Sequence, residues 1–179
     1  MSSIKKELLE WIITIAAAGA LAFLINIFGG FAVVEGPSMM PTLRDKDILV
    51  RVSYLEKEPK RGDIIAFKTD MTHPWKIYRM LGVKKALVKR VIGLPGDHVV
   101  VKDGLVYVNE IQLQEDQLQD GTTSGEVDVV VTEGNLFVMG DNRQNSNDSR
   151  GTVGLVSIKS IIGRIAYRIF PFNTMGKFQ

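Results

Sequence analysis

The stretch that best predicts the fold class reads Val99-Val100-Val101-Lys102-Asp103-Gly104-Leu105-Val106-Tyr107-Val108. Its two flanks are rich in valine, which favours β-strands. The Asp103-Gly104 linker between them suits a two-residue turn in which both residues take positive φ. Such a linker between apolar segments is a strong sign of a β-hairpin, so the sequence predicts an antiparallel pair here.

Further short β segments lie on both sides of this hairpin. We predict strands at residues 48–52, 64–68, 88–92, 129–131, 136–139 and 161–169. The polar stretch 112–128 is predicted to be an exposed excursion, and residues 98–135 a small β subdomain or insertion. Because no long amphipathic helical pattern separates the strands, parallel β-α-β organisation is not expected. The predicted fold is mainly β, with antiparallel sheets.

Composition excludes several classes of function. The 179 residues fit one compact domain with a short appendage, and the net charge of +2 does not indicate nucleic acid as a partner. There are no cysteines, so disulfides, thiolate metal sites and a cysteine nucleophile are excluded. With two histidines, no multi-histidine metal centre is expected.

An uncharged apolar segment precedes the β segments. Residues 12–34 contain no charged residue, and Asn26 is their only strongly polar one. About 20 apolar residues cross the hydrocarbon core as a helix, so this segment predicts a single transmembrane helix and a cell-membrane location. Lys5 and Lys6 lie before it, which predicts that residues 1–11 are cytoplasmic and residues 35–179 extracytoplasmic.

Two other interpretations of this segment fit the sequence less well. A cleaved secretory signal has a shorter apolar region, of roughly 7–15 residues, and a small-x-small cleavage site that is not evident near Glu35. A buried soluble helix would need more protein around it than a chain of this size supplies. A retained membrane anchor is therefore the preferred interpretation.

A candidate nucleophile, Ser38, follows the apolar segment within Gly36-Pro37-Ser38-Met39-Met40-Pro41. A serine hydroxyl needs an adjacent base to become an effective nucleophile. Neither His73 nor His98 lies in a distinctive local pattern, so we interpret both as surface or strand-edge histidines.

Lys89 is the other candidate base. Strand alternation places it with Leu87 and Val91 on a largely apolar face, where desolvation would lower the pKa of the amine. From periodicity alone, an edge-strand lysine that extends its amine into solvent fits equally well.

Four segments in this order resemble the type I signal peptidases, which are membrane-anchored serine–lysine proteases, in their Gram-positive form. These segments begin with Gly36-Pro37-Ser38-Met39-Met40-Pro41-Thr42-Leu43 and continue with Arg61-Gly62-Asp63-Ile64-Ile65-Ala66-Phe67, Lys89-Arg90-Val91-Ile92-Gly93-Leu94-Pro95-Gly96-Asp97, and Gly140-Asp141-Asn142-Arg143 with Asn145-Ser146-Asn147-Asp148-Ser149-Arg150. The resemblance spans most of the chain beyond the apolar segment.

The resemblance implies roles for individual residues. Ser38 would be the acylated nucleophile, Lys89 its general base, and Ser146 the serine that hydrogen-bonds the lysine amine. Asp148 and Arg150 would form a structural ion pair near the site, with Asp141 and Arg143 as supporting polar residues. The candidates for lining the shallow substrate pockets are Val34, Met39, Leu87 and Val88.

Gly36 departs from part of the family, in which a serine at this position helps to bind the oxyanion. The backbone N–H of Ser38 stays a plausible donor, and the second donor is left open.

The resemblance also implies the reaction. The enzyme would cleave signal peptides from secretory preproteins after small residues at positions −1 and −3, without a metal or organic cofactor. It carries no prediction of oligomeric state. The apolar stretch at residues 169–172 is interpreted either as a bilayer contact or as a packed strand end.

Two rival functions fit the sequence less well. A self-cleaving repressor would carry a helical DNA-binding domain, which nothing in the sequence resembles. A membrane-tethered, non-catalytic β binding module would have no use for the ordered Ser38 and Lys89 segments.

Overall fold

The structure is a computed structural model that describes residues 3–53, 58–72, 75–81, 84–115, 117–118 and 122–177. The helices within these residues are α1 (Ser3–Phe28) and the short α2 (Lys76–Met80), with 3-10 helices at Ile158–Ser160 and Phe172–Thr174. The strands are β1 (Gly29–Val33), β2 (Ile48–Val52), β3 (Ile64–Thr72), β4 (Lys84–Gly93), β5 (His98–Lys102), β6 (Leu105–Val108), β7 (Ile111–Gln112), β8 (Val127–Val130), β9 (Asn135–Met139), β10 (Val156–Ser157), β11 (Ile161–Phe170) and β12 (Gly176–Lys177).

The described strands form two sheets. The larger, eight-stranded sheet has the order β1-β2-β11-β3-β4-β9-β10, with β12 paired to β11, and the smaller has the order β7-β6-β5-β8. Every recorded strand pair is antiparallel. The prediction of a mainly β, antiparallel fold is therefore confirmed.

The predicted hairpin is present in the small sheet. β5 pairs with β6 from Val99↔Val108 to Lys102↔Leu105, and the two turn residues Asp103 and Gly104 have φ of 53° and 79°. Positive φ at both central residues is the geometry of a type I′ turn, whose twist matches that of the two strands.

The N-terminal helix ends earlier than predicted. α1 ends at Phe28, and the following residues pair with β2 from Gly29↔Val52 to Val33↔Ile48. The prediction of a helix over residues 12–34 is therefore wrong for its last six positions. The strands approach so closely here that a Cβ at Gly29 would lie 2.3 Å from the carbonyl oxygen of Arg51, a contact that only glycine permits.

Among the described residues, no helix combines the length and the apolar character needed to cross a membrane. The predicted segment includes Ala22 and residues 24–28, whose side chains lie outside the described part of the chain.

The hydrophobic core lies on both faces of β3. Ile64 and Ala66 pack on one face, and Ile65 and Phe67 on the other, as the two-residue period of a strand requires. The first face supports the segment between β1 and β2, and its other buried members are Val34, Met39, Leu43, Leu49 and Ile165.

The small sheet packs against the large one. Its buried valines, Val99, Val101, Val106 and Val108, form a cluster with Ile92, Phe137 and Met139 of β4 and β9. A Cβ at Gly93 would lie 2.6 Å from a methyl carbon of Val99, so the glycine lets the two sheets approach. One continuous body thus positions the elements described below.

Candidate active site

Ser38 lies in the Ser38 turn, residues 34–47, which joins β1 to β2. Near the start of this turn, Gly36 has a φ of 88°, which suits glycine, and its N–H donates to Asp45 Oδ1 at 2.9 Å. Met39 and Leu43 are buried beneath the turn, with exposed fractions of 2% and 0%. Capping and burial together hold the backbone of Ser38, while its side chain stays half-buried and faces the neighbouring strand.

Lys89 projects from β4 towards this serine. Its side chain is 2% exposed, and its Nζ donates a hydrogen bond to Ser38 Oγ at 2.6 Å. The amine therefore points into the protein and does not extend into solvent, which was the alternative left open by strand periodicity.

Burial lowers the pKa of the Lys89 amine. Desolvation is the main cause that lowers the pKa of Lys89, from 10.5 to about 8. The nearby carboxylates Asp148 and Asp141 oppose this shift, and the positive charges of Lys85 and Arg150 add to it. At pH 7 about a tenth of the amine is consequently in the neutral form that a general base requires, and this fraction rises as the pH approaches the pKa.

His98, the described one of the two candidate histidines, is elsewhere. Its Nε2 lies 2.7 Å from Asp128 Oδ1 on the surface of the small sheet. His73 falls outside the described residues.

Arg90 forms an ion pair on the opposite face of β4 from Lys89. Its Nε and Nη2 bind the two oxygens of Asp141 at 2.8 and 2.6 Å, and its Nη1 donates to the Gly62 carbonyl at 3.0 Å. The Thr42 hydroxyl donates to the same carboxylate from the Ser38 turn. Sequence analysis missed Arg90, although strand alternation places it opposite Lys89 and thus in reach of other elements.

A second bidentate pair joins Asp148 and Arg150. The Arg150 Nε and Nη2 each lie 2.9 Å from a carboxylate oxygen, and Asp148 Oδ2 also accepts the Gly140 N–H at 2.9 Å. Burial alone would raise the pKa of Asp148, but the hydrogen bonds from Arg150 and Gly140 outweigh it and lower the pKa. Asp148 therefore stays ionised and adds negative charge near Lys89.

Ser146 lies close to the nucleophile but is not bonded as the resemblance implied. A Cβ at Gly140 would lie 2.3 Å from Ser146 Oγ and 2.4 Å from the Ser38 carbonyl oxygen, so all three residues are in close contact. The buried Ser146 Oγ is near enough to Asp148 to help lower its pKa, yet it has no hydrogen bond of normal geometry among the described residues. The expected bond to the lysine amine is therefore absent in this structure, where Lys89 bonds Ser38.

Arg143 does not contact Lys89 directly. Its guanidinium binds the Glu115 carboxylate and donates to Thr123 Oγ1 at 2.6 Å, and both partners lie in the connection between β7 and β8. Glu115 and Thr123 were not predicted, since no local pattern in the sequence marks two residues of a polar excursion as partners of a distant arginine.

A cavity of about 200 Å³ opens beside Ser38 and Lys89. The four residues predicted to line substrate pockets, Val34, Met39, Leu87 and Val88, border it. Val33, Glu35, Lys85 and Ala86 complete its wall. Among the described residues, no group of three histidine, cysteine or acidic side chains is placed to hold a metal ion.

The sequence is similar to those of known proteins. The family model described as "Signal peptidase, peptidase S26" matches residues 8–170. Signal peptidase I S of Bacillus subtilis is 39% identical and signal peptidase I of Bacillus licheniformis 38% identical, each over 97% of this chain and 95% or 94% of the relative. Signal peptidase IB of Staphylococcus aureus is 32% identical over 94% of this chain and 93% of its own.

A crystal structure of a signal peptidase I from Enterococcus faecalis is also similar, with 32% identity and a TM-score of 0.49, covering 60% of this chain and 97% of that one. The family match and the similar sequences show that the protein is an enzyme of the serine peptidase class. More particularly, the chain belongs to the signal peptidase family, the S26 peptidases.

The charge of Lys85 gives a direct test of the electrostatics at Lys89. Because Lys85 lowers the pKa of the buried amine, Lys85→Gln is expected to raise that pKa above about 8. The measurement is an NMR titration of the lysine side-chain nitrogens. Lys102→Gln, at an exposed position of β5, is the control and should leave the pKa unchanged. An unchanged or lower pKa in Lys85→Gln would contradict this description of the site.

Proposed function

We propose that this chain cleaves signal peptides from secretory preproteins, with Ser38 as the nucleophile and Lys89 as the general base. The observation that carries the proposal is the 2.6 Å contact between Ser38 Oγ and the amine of a lysine that is 2% exposed. The family membership and the names of the similar proteins supply the reaction and the class of substrate.

The proposed reaction has two halves. The neutral amine of Lys89 takes the proton of Ser38 Oγ while the oxygen attacks the peptide carbonyl carbon. The resulting oxyanion collapses, the C–N bond breaks, and Lys89 gives its proton to the leaving amine of the mature protein. A water then gives a proton to Lys89 while its oxygen attacks the ester carbon. The bond from that carbon to Ser38 Oγ breaks, Lys89 returns the proton to Oγ, and the signal peptide leaves with a new carboxyl group.

The mechanism also requires hydrogen-bond donors that stabilise the oxyanion. We propose the backbone N–H of Ser38 as one donor. The Gly36 N–H is already bonded to Asp45, and Gly36 has no hydroxyl to offer. One donor of this kind contributes about 10²–10³ in rate in other serine hydrolases.

The cavity beside Ser38 supports a preference for small side chains. Its volume of about 200 Å³ suits short side chains at positions −1 and −3 better than aromatic ones. Among the described strands, residues 86–89 of β4 pair with β3 alone, because the recorded β4–β9 ladder begins at Arg90. An extended substrate could therefore add to this open edge as a further strand.

We also propose that α1 attaches the enzyme to a lipid bilayer. Its apolar side chains are exposed, with Ile12 at 55%, Ile13 at 58% and Ile15 at 67%, and no described element covers them. The catalytic domain also exposes apolar side chains at Phe31 and Phe172, at 65% and 77%. The prediction that residues 1–11 face the cytoplasm and 35–179 the outside is kept as part of this proposal.

Substitution of the two site residues tests the assignment of roles. Ser38→Ala removes the nucleophile and should abolish preprotein cleavage. Lys89→Met, which keeps a similar side-chain volume, should lower kcat by about 10²–10⁴ because it removes the base. Both are measured with purified folded protein and a preprotein substrate, with Lys102→Met as the matched control. Cleavage by Lys89→Met within tenfold of the unsubstituted enzyme, as an order of magnitude, would refute its role as base.

Charges introduced into α1 test the attachment. Each carboxylate costs roughly 2.5–3.5 kcal/mol in the middle of the bilayer, so Ile13→Asp with Ala17→Asp should release the enzyme from the membrane fraction. Ile111→Asp makes the same change at a position of β7 that is 73% exposed, and should leave membrane association intact. Equal retention of both variants in washed membranes would exclude α1 as the attachment.

A further inference from the structure

Arg143 connects to the nucleophile through the backbone of the Gly140 loop, residues 140–150. Its side chain is buried, and its Nε donates to the Gly140 carbonyl at 3.1 Å. Two residues further along the loop, the Asn142 N–H donates to the Ser38 carbonyl at 3.0 Å. The guanidinium therefore holds the segment of the loop that holds the backbone of Ser38.

This segment has little freedom to move without displacing the nucleophile. A Cβ at Gly140 would lie within 2.4 Å of both the Ser38 carbonyl oxygen and Ser146 Oγ, so the backbones are packed as closely as glycine allows. The Gly140 N–H is itself bonded to Asp148 Oδ2 at 2.9 Å. A shift of the Gly140 carbonyl is thus transmitted to Ser38.

The terminal nitrogens of Arg143 are held by Glu115 and Thr123, in the connection between β7 and β8 of the small sheet. Both oxygens of Glu115 bind its two terminal nitrogens, and Thr123 Oγ1 accepts a further bond at 2.6 Å. The side chains of Arg143 and Glu115 are 2% and 8% exposed, so solvent screens this pair weakly. A bidentate carboxylate fixes the plane of a guanidinium as well as its position.

The partners of Arg143 are themselves attached to the β5–β6 hairpin. The Thr123 N–H donates to the carbonyl of Gly104, at the hairpin turn, at 2.8 Å. Near Glu115, the Leu113 N–H donates to the Val106 carbonyl at 2.8 Å. The adjacent Ser124 bonds the backbone carbonyl of Arg143 and, through its own carbonyl, the guanidinium of Arg150.

We propose that Glu115 is a positioning residue for catalysis, which orients Arg143 and so holds the Gly140 loop and Ser38 in place. The proposal rests on the proposed function, since its main readout is preprotein cleavage. It gives the small sheet a part in the reaction although none of its described residues lines the cavity beside Ser38. Glu115 acts at a distance, so it affects the turnover of bound substrate more than the binding of substrate.

The first test compares Glu115→Gln with Glu126→Gln, which makes the same change at an exposed position of the same region. Glu115→Gln keeps the side-chain shape but weakens the bidentate pair. Because a misplacement of about 1 Å can cost roughly 100-fold in rate, we expect kcat to fall by about 10- to 100-fold, with KM within about twofold. Glu126→Gln should match the unsubstituted enzyme. Unchanged kcat in Glu115→Gln would overturn the proposal.

A double variant separates positioning from simple stability. Glu115→Leu with Arg143→Met removes both charges, so no unpaired charge is buried. The midpoint of thermal unfolding should therefore lie closer to that of the unsubstituted protein than the midpoint of Glu115→Gln does. The bond from Arg143 Nε to Gly140 is still missing, so kcat should stay low. Recovery of kcat together with the unfolding midpoint would mean that the pair is structural only, and would overturn the proposal.

The rate of Ser38 acylation by a serine-directed acylating reagent separates this proposal from the proposed function. If the unsubstituted enzyme failed to cleave a preprotein, the function would be wrong, yet acylation would still compare the variants. Slower acylation in Glu115→Gln than in Glu126→Gln supports the positioning role, and equal rates overturn it.

Discussion

The burial of one lysine amine next to a serine hydroxyl is the constraint on which the rest of the site depends. Lys89 is 2% exposed, and lowering its pKa from 10.5 to about 8 corresponds to about 3 kcal/mol of destabilised ammonium. The fold must supply that free energy elsewhere. Two features supply it. β4, which carries Lys89, pairs with β3, and β3 has hydrophobic core on both faces. The Ser38 turn packs Met39 and Leu43 beneath Ser38.

Three buried ion pairs involve the Gly140 loop, which hydrogen-bonds the backbone of Ser38. Arg90 with Asp141 and Arg143 with Glu115 join different segments, whereas Arg150 and Asp148 lie within the Gly140 loop. Each carboxylate binds its arginine through both oxygens. Buried pairs of this kind contribute little net stability, but removal of one partner strands a charge, so they fix geometry. All three converge on the Gly140 loop, whose first residue has no room for a side chain between Ser38 and Ser146.

Local signals were sufficient to predict most of the strands, whereas the roles of Ser38 and Lys89 followed from the resemblance to the signal peptidases, because strand periodicity alone left the direction of the lysine amine open. The Asp103-Gly104 turn, the valine-rich flanks and strand alternation are short-range properties, and most predicted strands match within a few residues. The end of α1 was mispredicted because apolar residues 29–34 suit a helix or a strand equally, and pairing with β2 decides between them. The Arg90–Asp141 and Arg143–Glu115 pairs could not be derived, since each joins residues that are distant in sequence and carry no shared pattern.

The dependence of kcat/KM on pH tests the central claim most directly, because it reports the protonation of the base in the free enzyme. The pKa of Lys89 is lowered, so the neutral, basic form is scarce below about pH 8 and predominates above it. For preprotein cleavage by the stable enzyme, the account predicts a rate that rises with pH and levels off above an apparent pKa of about 8. A rate that is flat or falls steadily between about pH 6 and 9 would contradict it.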